Sequence, residues 1–105
     1  MPKVQISKSD NPKKKYKIVL TYDDGKTKTI HIGQAGADDF TITGDEDAKK
    51  RYIIRHKKRE DWTKSGLATA GFWSRWLLWN EKTLKASIAD IKKRFSLVSV
   101  SSKSS

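Results

Sequence analysis

The side chains able to do acid–base or nucleophilic chemistry are few and scattered. His31 and His56 are the only histidines and there is no cysteine. No serine sits in a strand-to-helix elbow, so neither a triad nor a thiolate nucleophile can be assembled. A phosphate-cradling glycine loop with its lysine is missing, as is a histidine cluster spaced to hold zinc. The acidic run Thr43-Gly44-Asp45-Glu46 lacks calcium-loop spacing and matches a capping box, the Thr43 hydroxyl serving the amide three residues on while Glu46 reaches back. These residues point to a protein that is not an enzyme, has no catalytic residues, and needs no metal or cofactor.

What the sequence supplies in quantity is cations. Lys and Arg number 23 against 12 Asp and Glu, a net charge of +11 and a pI near 10.0. Basic domains of this kind usually meet a polyanion. The charges are grouped: Lys13-Lys14-Lys15, then Lys50, Arg51, Arg55, Lys57, Lys58 and Arg59, then Lys92-Lys93-Arg94. At helical spacing Arg51, Arg55 and Lys58 stand at i, i+4 and i+7 and form one stripe, which costs helix stability through like-charge repulsion. A partner that neutralises the stripe removes that cost. These cations are the expected contacts to the phosphates of nucleic acid, duplex DNA in the first instance, without base reading. A solvated basic surface, or one matched to an acidic protein neighbour, is the competing interpretation.

The elements that must position these groups follow from periodicity. Residues 1–15 hold Pro2, Pro12 and a polar run without a periodic apolar face, and are expected to be a flexible basic arm. Tyr16, Ile18, Leu20 and Tyr22 alternate with polar residues as a strand, and a second strand follows Asp23-Asp24-Gly25. A two-residue turn would oppose Ile18 and His31; a three-residue loop with Gly25 left-handed opposes Ile18 with Ile30 and Tyr16 with Ile32, which aligns the apolar faces. Phe40 and Ile42 can tuck into the core as a brief extended stretch. A helix from about Asp45 to Glu60 buries Ala48, Tyr52, Ile53 and His56.

Three of the four tryptophans lie in Gly71-Phe72-Trp73-Ser74-Arg75-Trp76-Leu77-Leu78-Trp79, an apolar helix that must be covered and that Asn80 can stop. Trp62 and Trp73 are the rings singled out for stacking on bases or docking a partner. Thr83 can cap a further helix from Leu84 to Phe95, with Leu84, Ile88, Ile91 and Phe95 on its apolar face. Leu97, Val98 and Val100 suit a short strand added to the hairpin, and residues 101–105 a disordered tail. The fold class is α+β: an antiparallel hairpin on about three helices, one compact domain over residues 16–100.

No apolar run approaches membrane-span length, and the first residues carry no apolar secretory segment, so no membrane partner and no secretion are expected. The runs Tyr52-Ile53-Ile54-Arg55-His56, Glu60-Asp61-Trp62, Ala70 to Asn80, then Thr83, Ser87-Ile88 and Arg94-Phe95, resemble a family of short basic proteins encoded by large nucleocytoplasmic DNA viruses (giant viruses and phycodnavirus-like viruses). The resemblance covers roughly residues 36–95 and implies a viral protein associated with the virion, met in host cytoplasm or nucleus during infection; it transfers no functional residues. Two expectations result: a non-enzymatic, sequence-nonspecific DNA-binding protein, or a minor capsid or internal structural protein bridging capsid subunits through their acidic surfaces. A homodimer through a tryptophan patch is compatible with either.

Overall fold

The computed structural model describes residues 3–95 and the backbone of residues 100–103. Strands β1 (Lys3–Lys8), β2 (Lys14–Thr21) and β3 (Thr27–Gln34) run antiparallel, and β4 (Val100–Lys103) lies parallel beside β1, giving the order β3-β2-β1-β4. Alternation puts one apolar row on one face. Ile6, Ile18 and Ile30 stand side by side across three strands, with Val4 opposite Leu20 and Tyr16 opposite Ile32. The other face shows Lys3, Gln5, Lys17, Thr29 and His31, all exposed or half-buried.

The hairpin has the register that the aligned apolar faces required: Ile18 faces Ile30, and Asp23-Asp24-Gly25 form a three-residue loop with Gly25 at φ 88°. The Tyr22 amide donates to the Lys26 carbonyl at 2.8 Å to close it. From the β3 edge the chain crosses the apolar face as helices and returns as β4 at the opposite edge. These helices are α1 (Phe40–Thr43), α2 (Glu46–His56), α3 (Ala70–Trp73), a π-helical turn over Ser74–Leu78, and α4 (Leu84–Arg94). The π turn takes in an extra residue. That is how the consecutive Trp76, Leu77 and Leu78 all become buried, with Phe72 and Trp73 before them and Ile88 and Ile91 of α4 beside them, over the sheet isoleucines.

Several expectations are corrected. Residues 3–8 are not part of a loose arm: Val4 and Ile6 are buried and β1 pairs with β2 along its whole length. Two alternating apolar residues were too short a signal by themselves; the neighbouring strand supplies the ladder they need. Phe40 is buried as expected, but the stretch is helical, since Asp39 caps it by accepting from the Thr41 amide at 2.8 Å, and Ile42 is left 61% exposed. Gly44, left-handed at φ 62°, ends α1. The next helix must therefore be capped after it, and Asp45 rather than Thr43 does so, accepting from the amides of Asp47 and Ala48 at 3.0 and 3.2 Å. Helix α2 stops at His56, four residues early, with Tyr52 buried and Ala48, Ile53 and His56 half-buried. Thr83 caps α4 as expected, accepting from the Ala86 amide at 3.1 Å. Val100 opens a strand that joins β1 rather than the hairpin, and Ser101 to Lys103, expected in a disordered tail, continue it. Leu97, Val98, Ser104 and Ser105 lie outside the described residues.

The burial of β1 is testable. Ile6→Ala should cost about 2–5 kcal/mol in urea denaturation, whereas Gln5→Ala, on the open face of the same strand, should change stability by less than about 0.5 kcal/mol. Equal, negligible effects would return β1 to the status of an arm.

Candidate polyanion interface

Helix α2 is built with its charges sorted. Glu46 and Asp47 stand in its first turn and Arg55 and His56 in its last, as the helix dipole favours. Lys49 turns inward, donating to the Asn80 carbonyl at 2.6 Å and lying 4.7 Å from the centre of the Phe40 ring. Lys50, Arg51, Arg55, Lys57, Lys58 and Arg59 are all exposed, and none has an ion pair among the described residues. Helical geometry sets Ile54, 74% exposed, among Lys50, Arg51 and Lys57. Arg51 and Arg55 stand one turn apart on the helix, while Lys58, expected to continue their stripe at i+7, lies with Arg59 in the turn after the helix.

The other expected site residues divide. Lys13 and Lys14 are exposed beside Pro12, Gln34 and Ala35, around a shallow depression. Lys15 does not join them: its ammonium is held by the Asp39 carboxylate at 2.5 Å and by the Ala37 carbonyl, an ion pair that ties β2 to the α1 cap. Lys92 and Lys93 are exposed on α4, a separate element. Arg94 is engaged, its guanidinium on Asp90 at 3.0 Å and over the Trp76 ring at 4.5 Å. Burial raises the Asp90 pKa, but hydrogen bonds from Arg94 and Asn80 outweigh it and hold the carboxyl below its ordinary value. Trp73 is withdrawn from any stacking role: it is 0% exposed and its indole N–H donates to the Leu67 carbonyl at 2.7 Å. Trp62 remains half-buried, donating to Glu60 at 3.1 Å with the Arg75 guanidinium 5.4 Å from its ring.

Next to Arg55 lies a cleft of about 430 Å³ that sequence reasoning missed. Its aromatic wall is Tyr52, stacked on His56 at 4.3 Å and on Trp79 at 4.8 Å with planes only 8° apart in the second pair. The i, i+4 spacing of Tyr52 and His56 was visible, but Trp79 comes from another element. Burial, then the Glu60 charge, push the Tyr52 phenol well above its ordinary value, with Arg75 and Arg55 opposing, so it stays protonated. Glu60 fixes the floor: it faces His56 Nδ1 at 3.4 Å and accepts from Trp62. It fits only because residue 71 is glycine, where an added Cβ would lie 2.8 Å from the Glu60 carboxyl carbon. Arg75, unforeseen, lies 4.4 Å from the Trp76 ring and donates to the Trp79 carbonyl at 2.7 Å. Among the described residues no group of three or more His, Cys, Asp or Glu could hold a metal ion.

Gly71→Ala should cost about 1–3 kcal/mol by displacing Glu60. Adding Glu60→Ala should recover part of that loss in a double-mutant cycle. Strict additivity would mean that the two positions do not share the space.

No curated protein and no solved structure matches the chain. A family model matches residues 4–56, from inside β1 to the last residue of α2. It therefore takes in the sheet hairpin and the whole of α2 but neither the turn that carries Lys57, Lys58 and Arg59 nor the tryptophan segment. On that match, which spans half of the sequence, the chain belongs to a family of unknown function (DUF5754).

Proposed function

We propose that this protein is a non-enzymatic nucleic-acid-binding protein that holds the phosphate backbone of DNA without reading its sequence. The observation that carries this reading is the set of six exposed cations from Lys50 to Arg59, none with an ion pair among the described residues. Repulsion within such a set is relieved when phosphates enter and condensed counterions leave the nucleic acid. Lys13 and Lys14 extend the set across the cleft, because Gln34 lines both their depression and the cleft that Arg55 borders. The resemblance to short basic proteins of large DNA viruses adds a setting to the proposal: a virion protein in contact with the viral genome.

A second reading is favoured by one observation. Ile54 offers an apolar side chain, 74% exposed, inside the cation patch, which suits an acidic protein surface with an apolar anchor better than it suits phosphates alone. In that reading the chain is a minor capsid protein seated on a larger capsid subunit.

Affinity for duplex DNA measured from 50 to 200 mM salt separates the two. The first reading expects log affinity to fall linearly with log salt, with a slope of about −5 for six contacts. The triple charge reversal Arg51→Glu, Arg55→Glu, Lys58→Glu should weaken binding at least about a hundredfold and lower the slope by about 3, with the far-ultraviolet spectrum unchanged. Unchanged binding in the folded triple variant would remove α2 from the interface. Failure to bind at the lowest salt would leave the capsid reading.

A further inference from the structure

We infer that the cleft beside Arg55 seats an unpaired base, so that the preferred ligand is single-stranded rather than duplex nucleic acid. This inference rests on the phosphate-binding reading and refines it. Position argues first. Cations flank the cleft on two sides, Lys13 and Lys14 beyond Gln34 and the α2 set beginning at Arg55. A phosphate chain joining them crosses the mouth of the cleft.

The charges then decide which part of a nucleotide goes in. Asp38 and Glu60 are carboxylates in the wall of the cleft, while a third, Asp39, and the cleft's lysine, Lys15, neutralise each other. A phosphate would be repelled from that interior and held at the rim by Arg55. A base is neutral, flat and edged with amino donors that carboxylates accept. About 430 Å³ lies within the size range of small-ligand clefts. His56 and Trp79, half-buried and stacked on the buried Tyr52 ring, offer apolar, polarisable surface of the kind bases stack on. A base paired inside a duplex cannot leave its neighbours to reach this wall without unstacking.

The test compares three ligands on the full chain at one salt concentration: a single-stranded 20-mer, an abasic strand with the same number of phosphates, and a 20-base-pair duplex. The base-bearing strand should bind about tenfold more tightly than the abasic one, since each stacked base adds a factor of that order. Ala70→Phe, at an exposed position lining the cleft, should bring the ratio close to one while leaving abasic affinity unchanged. If wild-type protein binds base-bearing and abasic strands equally, the cleft takes no base, although the phosphate reading stands. If folded Ala70→Phe keeps the preference, the base sits elsewhere and the inference falls. If no strand binds even at low salt, the phosphate reading and this refinement fail together. The wild-type comparison is decisive even where Ala70→Phe does not fold.

Discussion

Two indole N–H groups decide where the chain can run between α2 and α3. Burying a tryptophan over a sheet of isoleucines contributes a large apolar area, but its N–H must still find an acceptor, and an unmade bond there costs about 1–3 kcal/mol. Trp73 donates to the Leu67 carbonyl and Trp76 to the Trp62 carbonyl. The connector is thereby laid along the helix it precedes. Its tight course is fixed further by Gly66, where any Cβ would meet the Asp61 carbonyl oxygen at 2.0 Å. With the connector in place, Glu60 has one position, beneath Gly71, and from there it meets His56 and Trp62. The aromatic cleft is thus a by-product of satisfying the core.

The acids explain why the cations are left over. Asp39 caps α1 and holds Lys15, Asp45 caps α2, Asp61 caps the turn at Thr63, Asp90 is shared by Arg94 and Asn80, and Glu60 serves His56 and Trp62. Carboxylates committed to backbone amides or to a local partner are not placed to neutralise an exposed helix face. A net charge of +11 is therefore not a uniform haze. It gathers where the fold has no structural use for an acid.

What was legible in the sequence was what depends on near neighbours. Gly25 with the alternation on either side gave the hairpin register, and Thr83 with Leu84, Ile88 and Ile91 gave α4. The cap of α2 was misplaced by two residues because Gly44 could not be known to end a preceding helix. The role of β1 was hidden because Val4 and Ile6 mean little until β2 lies beside them. The cleft was hidden for a stronger reason. Trp79 reaches the Tyr52–His56 pair of α2 only through packing of a later element, and the neutralisation of Lys15 by Asp39 likewise joins residues 24 apart. Local pattern reports which residues are cationic or aromatic; only packing reports which of them remain available.

The sheet order also has a kinetic meaning. β4 is the shortest strand, and its pairing of Val100 with Val4 closes a loop spanning nearly the whole sequence, whereas β2 and β3 are joined by three residues. Closing so long a loop for so few backbone bonds makes this ladder the last to form and the first to open. Amide hydrogens at the β1–β4 seam therefore exchange with solvent through a local opening, while those between β2 and β3 wait for events closer to global unfolding. Each such opening bares the edge of β1, a row of unpaired backbone groups with Val4 and Ile6 behind it, and that edge is where one copy of the chain can catch another.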